Sequence, residues 1–413
     1  MSSPPLFILG GAQTDFARNY AREGLEVSDL VGDTVRETLA SALVDAGDID
    51  TIHLGNAFGQ IFNGQGHLGA MPATVDRELW GVPAMRHEGA CASGGLALLA
   101  AGAEIEAGRY DCALVLGVEQ ERNVAGDVAA NNLGAAAWVG HEAQDATFIW
   151  PYMFDQLVEE YDRRYGIDYG HLAGIAQLNF RNARSNPNAQ TRSWKMPPDA
   201  FFADDVTNPV VEGRIRRSDC SQITDGGAGV VVAGARYAQA WARSRGMALS
   251  DVPQLLGWGH RTVGLAYADK VERSVSDTHV MPHVRDTIRD AFDRAGVRDV
   301  FDLDGIETHD CFTSSEYLAI DHFGITEPGE SWKAVESGIL ERDGAIPINP
   351  SGGLIGGGHP VGATGVRMVL DAAKQVRQSA GDYQVDGARS FATLNIGGST
   401  ATTVSFVVGV REP

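Results

Sequence analysis

The chain of 413 residues is long enough for a large buried core and two or three domains, and its 44% apolar and 21% charged residues exclude a disordered protein. Acidic residues outnumber basic ones 54 to 33, and the net charge of −21 argues against nucleic acid or anionic lipid as a general partner. No basic-then-apolar leader opens the sequence and no run nears the ~18 apolar residues of a membrane span, so a cytosolic location is expected.

In chain order, Leu6–Gly11 reads as a short buried strand, Val27–Gly47 as a helix ending on glycine, and Thr51–Phe58 as a strand with its turn. Gly89–Gly108 combines a small-residue turn with an Ala/Leu helix, followed by the apolar strand Cys112–Gly117. From Glu119 to about Ser221 the composition shifts to Asn, Asp, Tyr and Arg, with a helix at Asp155–Tyr165. This segment is expected to be an insertion covering the mouth of a site. Its end, Arg214-Ile-Arg216-Arg217-Ser-Asp-Cys-Ser221, concentrates positive charge in an acidic protein, as either a solvated face or a phosphate contact. Core strand resumes at Thr224–Ala233.

The same order then returns. Gln254–Gly259 is a strand, Met281–Gly296 a helix, and Gly305–Phe312 a strand with its turn. The helix Glu37-Thr-Leu-Ala-Ser-Ala-Leu-Val-Asp-Ala-Gly47 matches Asp286-Thr-Ile-Arg-Asp-Ala-Phe-Asp-Arg-Ala-Gly296 in register. The repeat has a period of about 250 residues, far beyond that of solenoids. Alternating strands and helices predict an α/β protein of two duplicated halves with mainly parallel sheets covered on both faces.

The last unit of the repeat holds the densest signal. Asn349–Gly365 carries seven glycines and one titratable side chain, His359, and leads into a helix reaching Arg377 and a strand Ser390–Leu394. A phosphate loop would need Lys-Ser/Thr after its last glycine, and a dinucleotide turn would need a strand where Pro347 and Pro350 stand. The turn of Cys91 occupies the corresponding place in the first half. Cys91 is therefore expected at a helix start, where free amides favour a thiolate, with His359 as its counterpart and activating base. His309 and Cys311 lie two residues apart after a buried strand and would face one way. The four cysteines, Cys91, Cys112, Cys220 and Cys311, show no C-x-x-C spacing, so neither zinc nor a disulfide framework is expected.

These motifs resemble thiolases, in particular the SCP2-thiolases, similar to the thiolase domain of sterol carrier protein X. Gly89-Ala-Cys91-Ala-Ser-Gly-Gly resembles the nucleophile turn and Gly358-His359-Pro360 the histidine turn. His309-Asp-Cys311-Phe stands where many thiolases have Asn-Glu-Ala-Phe; Tyr165-Gly-Ile-Asp, Ile175-Ala-Gln-Leu-Asn179 and Asn186-Pro-Asn-Ala-Gln190 resemble the subgroup's insertion.

The resemblance implies two βαβαβαββ halves in a five-layered αβαβα body with an inserted loop domain that binds coenzyme A, usually as a homodimer. The halves would span 1–118, completed by 222–250, and 251–413, with the loop domain at 119–221. It further implies an acyltransferase acting on 3-oxoacyl-CoA, without metal or permanently bound cofactor. Cys91 would be the acylated nucleophile, His359 its base and His309 the stabiliser of the enolate oxygen. The amides of Cys91 and Gly397 would form an oxyanion hole, Ser221 would meet pantetheine, and Arg214, Arg216 and Arg217 the CoA phosphates. The usual second cysteine of a C-terminal Cys-x-Gly loop is replaced by Asn395-Ile-Gly397, so Cys311 would supply that thiol. This departure leaves room for related chemistry, an acyl-CoA retro-aldol lyase with a small OB-fold partner, or a non-catalytic acyl-CoA binder.

Overall fold

Strand β1 (Leu6–Gln13) sits at the middle of a nine-stranded sheet in a computed structural model that describes residues 4–411. The other strands of this sheet are β2 (Thr51–Gly55), β3 (Ala84–His87), β4 (Cys112–Glu119), β7 (Gly226–Gly234), β8 (Gln254–Thr262), β9 (Ile306–Thr308), β10 (Ser390–Gly397) and β11 (Thr402–Gly409). A separate hairpin pairs β5 (Val210–Glu212) with β6 (Ile215–Arg216). Apart from the edge strand β3, the order β3-β2-β4-β7-β1-β8-β11-β10-β9 is symmetric about the junction of β1 and β8. That junction is only two residue pairs long, Leu6 with Leu255 and Phe7 with Gln254, so two half-sheets meet at one edge rather than forming one continuous plane. In each half a parallel pair, β2 with β4 or β9 with β10, adjoins an antiparallel one, β4 with β7 or β10 with β11.

Strand β4 is buried along its whole length, which requires cover on both faces. The inner cover is a pair of helices, Ser93–Glu106 from the first half and Thr364–Val376 from the second. Leu98, Ala101 and Ile105 of one and Val366, Val369 and Leu370 of the other share a core with Val115 and Val230 on one half-sheet and Val404 and Phe406 on the other. Separate cores lie under the outer helices Val27–Ala42 and Pro282–Ala295, which completes the five layers.

Glycine explains how the two central turns come so close. A Cβ on Gly94 would lie 2.8 Å from the Gly362 carbonyl oxygen, and one on Gly365 would lie 2.3 Å from the Gly95 nitrogen. Any side chain there would push the turns apart. The short 3₁₀ turns Ala90–Ala92 and Val361–Ala363 precede their helices identically, so the turns are counterparts. Their functional side chains are not in register, however. Counting back from Ser93 and Thr364 aligns Cys91 with Gly362, and His359 with Glu88.

Between β4 and β7 lie the helices Gly126–Leu133, Ile149–Tyr165 and Tyr169–Ala183 and the β5–β6 hairpin. This segment docks on the second half. Phe154 stacks on Phe312 at 4.7 Å, the Tyr161 hydroxyl donates to Asp321, and Asn179 Nδ2 donates to Asp310 and Glu316. Asp310 in turn accepts the Leu354 and Ile355 amides, which fixes the glycine-rich turn, and Glu307 accepts from Ser351 and Arg367.

These buried carboxyls set a pH dependence for the fold. Burial pushes Glu119, Glu307 and Asp310 above their usual range and Glu316 to about 8. These four carboxyls therefore hold more protons in the native chain than in the unfolded one, and the stability they contribute falls as pH rises toward about 8, whereas the histidines that burial holds low, His87, His283, His309 and His359 among them, act with the opposite sign up to about pH 6.5. Above the histidine range, from about pH 7.5 to about pH 8.5, the midpoint of thermal unfolding is expected to drop by about one or two degrees as Glu316 loses its proton. A midpoint that rises over this range would contradict the assignment.

Candidate active site

The Cys91 turn is built by short local bonds. Ala90 adopts φ +51°, its amide donates to Glu88 Oε1 at 2.7 Å, and Ser93 Oγ accepts the Gly89 amide and donates to the Ala90 carbonyl. A non-glycine residue at positive φ beside a candidate nucleophile is a strained position that the surrounding bonds hold in place.

His359 is oriented by Thr364. The Thr364 hydroxyl donates to the Pro360 carbonyl at 3.0 Å and lies 2.7 Å from His359 Nδ1. With its one proton committed, the hydroxyl accepts from Nδ1–H, which leaves His359 Nε2 as the basic nitrogen. The opposite tautomer is set at His309. Asn395 Nδ2 donates to the Cys91 carbonyl at 2.9 Å and lies 3.4 Å from His309 Nδ1. Nδ1 of His309 accepts, so its Nε2 carries the hydrogen and can donate to a ligand oxygen. The two rings stand perpendicular at 5.2 Å, and the reactive atoms of Cys91, His309 and His359 all lie within 4.8 Å of one another. Thiol and imidazole are donor types a soft metal ion accepts, and the same closeness suits proton exchange among the three.

The electrostatics differ from the helix-start expectation. Burial pushes the Cys91 thiol up to about 12, with Glu121 adding to the rise, and the opposing Gly398 amide is too weak to reverse it. Burial also holds His359 down to about 3 and His309 well below its usual value. The resting site is thus a neutral thiol between two neutral imidazoles, because desolvation outweighs the free amides. Attack by Cys91 must be coupled to proton transfer.

Above these groups is a cavity of about 290 Å³ with Leu133, Phe148, Trp150, Phe154, Ile223 and Phe312 in its wall. Cys91, Cys311, His359, Ser221 and Arg217 also line it; His309 and Gly397 do not. Cys311 is buried, 3.8 Å from Ser315 Oγ, and its carbonyl accepts the Ser221 amide at 2.9 Å. Two of the three arginines are committed elsewhere: Arg214 pairs with Glu159 and Asp162, and Arg216 with Asp205 beneath the Tyr169 ring. Arg217 alone of the three faces the cavity, because the hairpin turns the other two toward the insertion's own carboxylates. Gly397 ends β10 paired with Thr402, and the amide of the next residue, Gly398, favours the ionised form of the Cys91 thiol.

Sequence reasoning missed Asn395 as an orienting group, and it missed Lys270. Lys270 is 5% exposed on the helix Tyr267–Ser274, and its Nζ donates to the Ser399 carbonyl at 2.6 Å and to Ser399 Oγ at 2.8 Å. It clamps the turn that carries Gly398. Lys270→Met is expected to lower turnover by ~10²-fold through misplacement of that amide, with little change in KM. Equal changes in both parameters, or none, would remove Lys270 as a positioning residue.

Known proteins bear on this arrangement. Residues 6–198 match the family model described as thiolase, N-terminal domain, and residues 268–410 the one described as thiolase C-terminal domain-like. An acetyl-CoA acetyltransferase of Methanothermobacter thermautotrophicus is 31% identical over 396 residues, covering 96% of this chain and 97% of that one. Sterol carrier protein 2 of Bos taurus is 26% identical over 418 residues, covering 98% of this chain and 73% of that one. A solved structure described as Ltp2-ChsH2(DUF35) aldolase shares the fold over 100% of both chains, with a TM-score of 0.76 and 18% identity. No described helix is long and apolar enough to cross a membrane. With both halves of the duplication matched and a relative aligned along nearly its whole length, the chain belongs to the thiolase family.

Proposed function

We propose that this protein is an acetyl-CoA C-acyltransferase that cleaves 3-oxoacyl-CoA through an acyl-enzyme on Cys91. The observation that carries the reading is the cluster of Cys91, His309 and His359 within 4.8 Å, set beside a thiol, Cys311, that lines the same apolar cavity. Cys91 Sγ attacks the 3-oxo carbon as its proton passes to His359 Nε2. The C2–C3 bond breaks, its electron pair forms the acetyl-CoA enolate, and His309 Nε2–H bonds the enolate oxygen. Cys311 protonates C2, and the proton taken from Cys91 restores Cys311. A second CoA thiol then loses its proton to His359 and attacks the thioester, releasing the shortened acyl-CoA and returning a proton to Cys91. Condensation runs the same steps backward. Ser221 and Arg217, both on the cavity wall, are assigned to the pantetheine arm and a phosphate. The open edge of β3, with Met85 43% exposed, supports pairing with a second copy of the chain.

The shared fold with the aldolase assembly supports a second reading, a lyase acting on acyl-CoA with a partner protein. A series of 3-oxoacyl-CoA chain lengths, assayed with and without CoA, separates the two. The acyltransferase reading expects continuous formation of acetyl-CoA and shortened acyl-CoA only when CoA is present, and no more than one acetyl-CoA per site without it. Cleavage that consumes no CoA, or requires an added partner, favours the lyase.

A further inference from the structure

Glu121 is 1% exposed, yet it belongs to the wall of the cavity that holds Cys91 and His359. One carboxyl oxygen, Oε1, accepts the Val361 amide at 3.0 Å; the other, Oε2, is buried without a hydrogen-bond partner. The neighbouring Glu119 is different. It accepts from the Ala57, Phe58 and Gly362 amides and from Asn56 Nδ2, so both of its oxygens are filled. Glu121 is held in place by its own amide, which donates to Asp225 Oδ1 at 2.8 Å, and Asp225 also accepts the Arg122 and Tyr20 amides. Among the described residues no cation forms an ion pair with Glu121. Burial, the adjacent Glu119 and Asp225 push its carboxyl well above the usual range, against the opposing Val361 amide and the weaker Thr224 amide. A buried carboxyl beside a second carboxyl, with one oxygen unpartnered and no cation paired to it, is favoured in its neutral form, which carries a hydrogen to donate. Leaving that donor unfilled inside a protein is unfavourable, so a ligand oxygen is its natural complement.

We propose that Glu121 is a further catalytic residue of this site, a hydrogen-bond donor whose Oε2–H bonds the oxygen on the carbon that Cys91 attacks. The inference rests on the acyl-enzyme reading above. As the Sγ–C3 bond forms, the carbonyl electron pair moves onto that oxygen, and the Glu121 hydrogen bond strengthens with the growing charge. As the C2–C3 bond breaks, the carbonyl re-forms as the thioester and the proton stays on Glu121. Nothing is consumed, and Glu121 acts beside the backbone donors.

The test uses Glu121→Gln, which keeps an N–H donor but cannot ionise, and Glu121→Met, which removes the donor. With 3-oxoacyl-CoA and CoA, Glu121→Met is expected to lose ~10²-fold in turnover and Glu121→Gln less than about tenfold. Wild-type turnover should fall as pH rises through the Glu121 ionisation, and this limb should vanish in Glu121→Gln. The other groups facing Glu121 remain in both proteins: Glu119, Asp225, Cys91 and His359. An infrared difference spectrum on acylation by acetyl-CoA should show a protonated-carboxyl band that shifts in the wild type and is missing in Glu121→Gln. If Glu121→Met turns over at the wild-type rate, or no such band responds to acylation, Glu121 is not a donor of the site, although the acyltransferase reading stands. If the wild type cleaves no 3-oxoacyl-CoA, that reading fails, and the infrared band still decides whether Glu121 meets the acyl group. Should Glu121→Met fail to fold, the band and the Glu121→Gln pH profile decide.

Discussion

Cys91→Ala is expected to form no acyl-enzyme and to lose about 10⁴- to 10⁶-fold in turnover, the range in which removal of a covalent nucleophile falls. The size follows from the site's resting state. A thiol held up to about 12 beside imidazoles held far below neutrality cannot pre-ionise, so the barrier depends on a simultaneous hand-off to His359. His359→Ala removes the acceptor with the bare Nε2 and should cripple acylation almost as severely. His309→Ala keeps the thiol and its base, so measurable acylation from acetyl-CoA should survive while chemistry at the α-carbon, including cleavage of 3-oxoacyl-CoA, is lost. Equal loss of both steps in both variants would mean that the two histidines, oriented by Thr364 and by Asn395, do not divide the work.

The second large effect is expected at Cys311. Asn395 has no proton to exchange in the working range, and its amide is already engaged with the Cys91 carbonyl and His309. Cys311, by contrast, lines the cavity, and the closeness of Cys91 adds to the burial that raises its thiol. Cys311→Ser should still acylate Cys91 from acetyl-CoA but should exchange the acetyl methyl protons with deuterium oxide ~10²- to 10⁴-fold more slowly, the usual worth of a positioned acid–base group. Asn395→Cys in a Cys311→Ala background should recover part of the exchange. The recovery will be incomplete, because that change also removes both hydrogen bonds of the Asn395 amide. Full exchange in Cys311→Ala alone would exclude Cys311 from the proton path.

The duplication was legible because it is written in local signals: helical periodicity, glycines ending helices, and apolar strands in the same order twice. The two glycine-flanked turns were legible for the same reason, since only close backbone approach explains Gly94, Gly362 and Gly365. What depends on tertiary burial was not. The helix start at Cys91 suggested a thiolate, but the apolar cavity and the carboxyls behind it reverse that sign. The run Arg214–Arg217 looked uniform in sequence, yet the β5–β6 hairpin turns Arg214 and Arg216 toward acidic residues of the insertion and only Arg217 toward the cavity. Lys270 and Glu121 carried no motif at all. Their interest comes from being buried beside the Gly398 turn and the cavity, which only the assembled fold reveals.

The most direct measurement is intact-protein and peptide mass spectrometry after brief mixing of the unmodified protein with a 3-oxoacyl-CoA, followed by a chase with CoA. A shortened acyl group should appear on the peptide containing Cys91, with one acetyl-CoA released per adduct, and should vanish as the chase yields the shortened acyl-CoA. An adduct on Cys311, or release of products with no adduct at any cysteine, would contradict it.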